Sequence, residues 1–380
     1  MAEAFVGIMT TDRSLSPRPR AILQSSELHR PDPYRDHLRE DGVLWLDRGE
    51  CIDPEFTALA GHILREAPDH TLFAYPTPGP LYRRLASYLE VDENTLCLTQ
   101  GTDGAIGTVF QTFTQPGDIA LTTDPTYQMY DVYARMNGVK VVTVPYRLEN
   151  GVPRIDGAEI VDAIRKHRPK LVGLPYPDNP TGYALEESEM RAIVEASGDV
   201  GALILVDEAY YPFHPASCLN WVPQYGHLVV TRSFSKGWGL AGLRLGWTVA
   251  QPHINEILHK VRPMVESSGL SMYLAERILD HEDERDASIA RLIEGRRLLA
   301  DKISALGFFA VDTACNFVHV DFADKRAEAA EVLKSVARYR VFGGSILAHF
   351  FRFTTTTPEL AQRVIDCLAP ISTIHGSKIG

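Results

Sequence analysis

From about residue 96 onward, short and mostly apolar runs alternate with stretches of helical spacing. Residues 171–174, 202–206, 227–231 and 245–250 each read as a buried strand bounded by turn residues, because apolar positions follow one another instead of alternating with polar ones. Between such runs, 160–167 and 185–196 repeat apolar positions every three to four residues, as a helix with one buried face does. This rhythm predicts an α/β fold, a mainly parallel sheet flanked by helices. Beyond about residue 255 the pattern turns helical, notably over 287–306. A strand at 316–322, a helix near 327–339, a strand near 350–353 and a closing helix over 358–368 then predict a smaller α+β domain. Residues 1–45 are polar and proline-containing and read as an arm or the edge of the small domain. The expected division is therefore 1–45, a large domain over 46–270 and a small domain over 271–380.

Composition narrows the partners. The 380 residues carry 38 basic and 49 acidic side chains, a net charge of −11, which argues against general affinity for nucleic acid or an anionic membrane. The five cysteines, Cys51, Cys97, Cys218, Cys315 and Cys367, are scattered, with no pair or cluster of metal-ligand spacing, so reduced thiols and no metal are expected. No run is long and apolar enough to span a bilayer, and residues 1–20 lack the apolar stretch of a secretory signal; a cytoplasmic location is the expectation.

The unusual residues fall at the ends of the predicted strands, where open α/β sheets bind ligands. Ser233-Phe234-Ser235-Lys236-Gly237 leads through a glycine-rich stretch to Arg244. A lysine amine can form a Schiff base with an aldehyde, and the hydroxyls and guanidinium can hold a phosphate, although a lysine on such a loop is otherwise an ordinary surface residue. Asp207 closes the apolar run 202–206 and could pair with a protonated pyridine nitrogen or simply cap a turn. Asn179-Pro180-Thr181-Gly182 reads as a turn whose Asn side chain could also reach a ring oxygen. Gly101-Thr102-Asp103 precedes a helical stretch and can offer backbone N–H groups to a phosphate. Tyr127 could stack on a planar ring or merely pack.

Taken together, these motifs resemble the fold-type I pyridoxal 5′-phosphate (PLP) aminotransferases of class I/II, most closely the histidinol-phosphate aminotransferase branch. The likeness runs from about Phe73 to Leu368 and includes Tyr75-Pro76, Pro116-Gly117-Asp118, Asn316-Phe317 and Arg352. The resemblance implies that Lys236 forms the Schiff base and shuttles the proton, that Asp207 binds the pyridine nitrogen, and that Tyr127 stacks on the ring, these three being catalytic. It implies that Asn179 and Tyr210 contact the 3′-oxygen, while Gly101, Thr102, Asp103, Ser233, Ser235 and Arg244 hold the phosphate. Arg352, with Asn179, would bind the substrate carboxylate, and Tyr75 would reach the site of a neighbouring subunit in a homodimer. The substrate half departs from the branch. Leu46-Asp47-Arg48-Gly49-Glu50-Cys51 replaces an Asn-rich segment, glycine stands near the position of a second arginine in Arg340-Val341-Phe342-Gly343-Gly344-Ser345, and Thr354-Thr355-Thr356-Thr357 ends the last strand. These departures point to a substrate other than histidinol phosphate. The expected reaction is amino-group transfer between an L-amino acid and a 2-oxo acid; the alternative is a PLP-dependent decarboxylase on the same fold, and a non-catalytic PLP sensor is the third reading.

Overall fold

The computed structural model describes residues 20–24, 28 and 38–373, so most of the expected N-terminal arm lies outside the described residues. Its centre is a seven-stranded sheet. In spatial order the strands are Leu96–Thr99, Gly246–Ala250, Leu228–Ser233, Leu203–Asp207, Leu171–Pro175, Ile119–Asp124 and Lys140–Pro145. All run parallel except Gly246–Ala250, which is antiparallel to both neighbours. The central strands are buried on both faces, which is why their sequences read as unbroken apolar runs. Helices cover the two faces. Gly157–His167 and Glu187–Asp199 pack on one with Ile160, Ile164, Met190 and Ile193, and Gly101–Phe113 packs on the other with Ile106, Val109 and Phe110.

A second hydrophobic core surrounds a three-stranded antiparallel sheet, in the order Phe309–Asp312, Phe317–Asp321, Phe351–Thr354. The 24-residue helix Glu282–Ala305 and the closing helix Pro358–Leu368 bury Leu299, Ile303, Val364 and Leu368 against it. Leu44 and Leu46 join this core too. The predicted helix near 327–339 is shorter than expected: Arg326–Leu333 is helical, and Ala337–Arg338 pairs in parallel with Leu44–Trp45. A backbone partner from the other end of the chain takes the place of the last helical turn, and the Tyr339 ring stacks on Phe351 at 4.0 Å.

Candidate active site

One register sets up the anion-binding end. Gly246 stands opposite both Thr99 and Ser233. Because its strand runs backwards, that strand begins where the parallel ones end, so Arg244 arrives at the same edge as Gly101 and Ser233. Gly101, at φ +72°, opens the helix Gly101–Phe113, and a Cβ built on it would lie 3.3 Å from Arg244 Nη2. Positive φ and close approach both call for glycine here. The Ser235 backbone N–H donates to Ser233 Oγ at 3.2 Å, which folds the loop back toward the helix start. The result is a cradle of N–H groups, hydroxyls and one guanidinium at a helix N-terminus, suited to a phosphate.

Lys236 follows on the same loop. Its Nζ donates to the backbone carbonyls of Gly49 at 2.8 Å and Arg48 at 3.3 Å. Gly49 has φ +70°, and a Cβ there would lie 2.8 Å from the lysine nitrogen. Its carbonyl also accepts from Asn316 Nδ2 at 3.0 Å, and its N–H donates to Thr354 Oγ1 at 2.9 Å. The segment replacing the Asn-rich stretch therefore meets the amine with main-chain atoms. Burial pushes the Lys236 pKa down to about 8, helped by Arg352 and Arg244 and opposed by Cys51 and Glu50. The Cys51 thiol donates to the Lys236 carbonyl at 2.9 Å, and burial raises its own pKa to about 11, which favours the thiol over the thiolate.

Asp207 ends its strand beside Pro175 and Thr231. It is buried, and Oδ1 accepts from the Ala209 N–H at 3.0 Å. Burial pushes its pKa up to about 7; the Ala209 N–H opposes this, whereas Glu208 and Asp103 add to it. A carboxylate so placed suits a partner that brings an N–H and a positive charge.

Arg352, buried on the strand Phe351–Thr354, reaches across from the small sheet. Its Nη1 donates to Asn179 Oδ1 and its Nη2 to the Asp47 carbonyl, both at 3.2 Å. The Phe342 ring lies 5.0 Å from the Arg352 Cζ and 5.3 Å from that of Arg340. All the predicted site residues except Tyr75 line one cavity of about 570 Å³, the size of a small-molecule site. Tyr127 and Tyr210 face it from the strand ends, with the Lys236 Nζ 5.8 Å from the Tyr210 ring centroid. Tyr75 stands apart on an exposed patch with Leu72 and Met264.

Arg48, Glu50, Arg340 and Phe342 also line the cavity; the sequence marked their stretches only as departures from the branch and assigned none of the four to the site. In the stretch where glycine stands near the position of a second arginine, the Arg340 backbone pairs with Arg352 in an isolated bridge, and Arg340 lines the cavity. Charge alone does not single out these arginines among many.

Residues 41–368 match the family model "Aminotransferase class I and II". The chain belongs to that family. It is 32% identical over 307 residues to histidinol-phosphate aminotransferase 1 of Ralstonia nicotianae, covering 78% of this chain and 80% of that protein. Against the enzyme of the same name from Burkholderia lata it is 32% identical over 337 residues, covering 86% and 92%. The fold is also that of a solved histidinol-phosphate aminotransferase from Sinorhizobium meliloti in complex with pyridoxal-5′-phosphate, with TM-score 0.80 and 23% identity over 94% of this chain and 98% of that one. This aminotransferase is a PLP-dependent enzyme acting on small amino-acid substrates. Among the described residues, no helix is long and apolar enough to cross a membrane.

Proposed function

We propose that Lys236, Asp207 and the cradle around Arg244 hold PLP, and that the enzyme moves an amino group between an L-amino acid and a 2-oxo acid bound at Arg352. One convergence carries this reading: the Lys236 amine, the Asp207 carboxylate and the Arg352 guanidinium, from a loop, a strand end and a separate sheet, line a single cavity. The donor set suits the cofactor. The cradle matches its phosphate, the buried carboxylate its pyridine N–H, and the lysine with a depressed pKa its aldehyde. Bound PLP supplies an electron sink for charge developing at the substrate Cα.

The chain's own residues do the rest. Lys236, its basicity lowered by burial, would take the proton from the substrate Cα and return it at the cofactor C4′. Asp207 keeps the pyridine nitrogen protonated. Tyr210 and Asn179 would hold the 3′-oxygen, Tyr127 would cover the ring, and Arg352 would pair with the substrate carboxylate. Tyr75 is 86% exposed beside Leu72 at 72%, Phe73 at 81% and Met264 at 85%, an apolar patch that supports a homodimer in which Tyr75 reaches the neighbouring site. Two hydrophobic cores support a division into a large and a small domain: Met272, Leu274 and Leu279 still belong to the larger core, and the smaller one gathers Leu44 and Leu46 with residues from Leu299 onward. Arg48 and Arg340 add positive charge at the substrate end, which supports a substrate bearing a second anionic group. Histidinol phosphate, named for the relatives, belongs in the assay as a test of the expectation that the substrate-half departures exclude it.

The test is a panel of amino donors, histidinol phosphate included, given to the PLP-loaded enzyme with a 2-oxo acid. Oxo-acid formation that disappears in Lys236→Ala is expected. Carbon dioxide release with no need for an oxo acid would replace transamination with decarboxylation.

A further inference from the structure

The small sheet grips the Asn179–Pro180 turn at two adjacent points. His319 and Arg352 stand directly opposite each other on antiparallel strands, so their side chains leave the sheet on the same face. Arg352 Nη1 donates to Asn179 Oδ1 at 3.2 Å, while His319 Nε2 lies 2.8 Å from the Pro180 carbonyl oxygen. A carbonyl only accepts, so Nε2 carries the proton. From the large domain, Asp178 Oδ1 accepts from the Thr181 N–H at 3.0 Å and the Thr181 hydroxyl at 2.6 Å. The Asp178 carbonyl accepts from the Gly182 N–H at 2.9 Å. The turn is thus fixed on its own side by Asp178 and on the far side by His319.

The rest of the imidazole is surrounded by apolar groups. His319 is fully buried, its ring 5.3 Å from that of Phe317 and 5.5 Å from that of Phe350, and its Nδ1 has no hydrogen-bond partner. Burial pushes its pKa down to about 3, with Arg352 and His349 adding to the effect and the Pro180 carbonyl opposing it. The ring is neutral throughout the working range, so it acts neither as an acid nor as a charge. A leucine or phenylalanine would satisfy this volume without leaving a buried nitrogen unpaired. What histidine adds is the single donated hydrogen bond to Pro180.

We infer that His319 is a positioning residue for the reaction: its Nε2–H holds the Pro180 carbonyl so that Asn179 stays in register with Arg352. This rests on the roles assigned above to Asn179 and Arg352. Asn179 then presents one fixed edge to the substrate carboxylate and to the PLP ring. Loosening the turn disturbs carboxylate binding and the ring's electronic environment together, although His319 touches neither substrate nor cofactor.

Three variants separate this role from packing. Gln places an amide nitrogen near the Nε2 position, Asn stops short of it, and Leu removes the donor. Each PLP-loaded protein is titrated with whichever proteinogenic L-amino acid bleaches the wild-type visible band most. Half-saturation and the pH midpoint of the unliganded band are read, with thermal unfolding measured in parallel. His319→Leu and His319→Asn should raise half-saturation roughly ten-fold, the effect of a lost buried hydrogen bond, and move the midpoint by about half a pH unit or more. His319→Gln should stay within about two-fold of wild type. If Leu does not fold, the Gln and Asn pair decides. Unchanged half-saturation in Asn, or equal impairment of Gln and Asn, overturns the inference. A wild-type protein with no visible band defeats the earlier site assignment instead.

Discussion

The lowered basicity of Lys236 can be tested through pH alone. An ordinary lysine with pKa 10.5 is neutral in roughly one molecule in 3,000 at pH 7, whereas one at about 8 is neutral in roughly one in ten. The cause is burial of the amine, with Arg352 and Arg244 adding to it, so the protonated form is the one disfavoured. The rate at which PLP-free protein captures added PLP should therefore climb about ten-fold per pH unit below 8 and level off above it. Capture is followed by absorbance and fixed by borohydride, with the modified peptide located by mass spectrometry; Lys236→Ala is the blank. At pH 7 the amine should react about 300-fold faster than its ordinary pKa would allow, the factor that corresponds to the shift from 10.5 to about 8. Linkage gives a second sign. Between about pH 8 and 10.5 the unfolded chain binds this proton and the folded chain does not, so PLP-free wild type should gain stability with pH across that window relative to Lys236→Ala. A capture rate still rising ten-fold per unit at pH 10 would show that the amine is not desolvated, and the reasoning would fail.

Other changes test separate parts of the site. Asp207→Asn removes the charge but keeps the shape and the Ala209 contact; PLP affinity by equilibrium dialysis should fall roughly 10- to 100-fold, the size of a lost charge-assisted hydrogen bond. Arg352→Lys loses the planar fork and should raise KM for the amino donor roughly ten-fold or more with a smaller change in kcat; equal loss in both would point to general disruption. Gly246→Ala would put a Cβ 2.7 Å from the Arg232 carbonyl and 2.9 Å from the Gly101 backbone, so the melting temperature should drop by roughly 5 °C or more and phosphate-end binding should weaken with it. An unchanged melting temperature would mean that the strand edge is looser than this packing implies.

Much of this protein is written locally. The apolar runs at 171–174 and 202–206 became the strands Leu171–Pro175 and Leu203–Asp207, and the closing helix Pro358–Leu368 has the boundaries its periodicity suggested. Strand ends and the Ser-Phe-Ser-Lys stretch marked where chemistry would collect, because burial on both faces and loop placement leave their signature in consecutive residues. The reversed direction of Gly246–Ala250 was not readable, since a buried strand has the same composition whichever way it runs. Nor was the short pairing of Leu44–Trp45 with Ala337–Arg338, which joins residues almost 300 positions apart. The main-chain grip of Arg48 and Gly49 on Lys236, the arrival of Arg340 at the cavity and the hold of His319 on Pro180 likewise depend on contacts between distant segments. Sequence by itself determined which side chains could perform the chemistry. Tertiary structure decided which of them share a cavity and which backbone atoms meet them, because hydrogen-bond partners across a fold are set by three-dimensional register, which leaves no periodic mark along the chain.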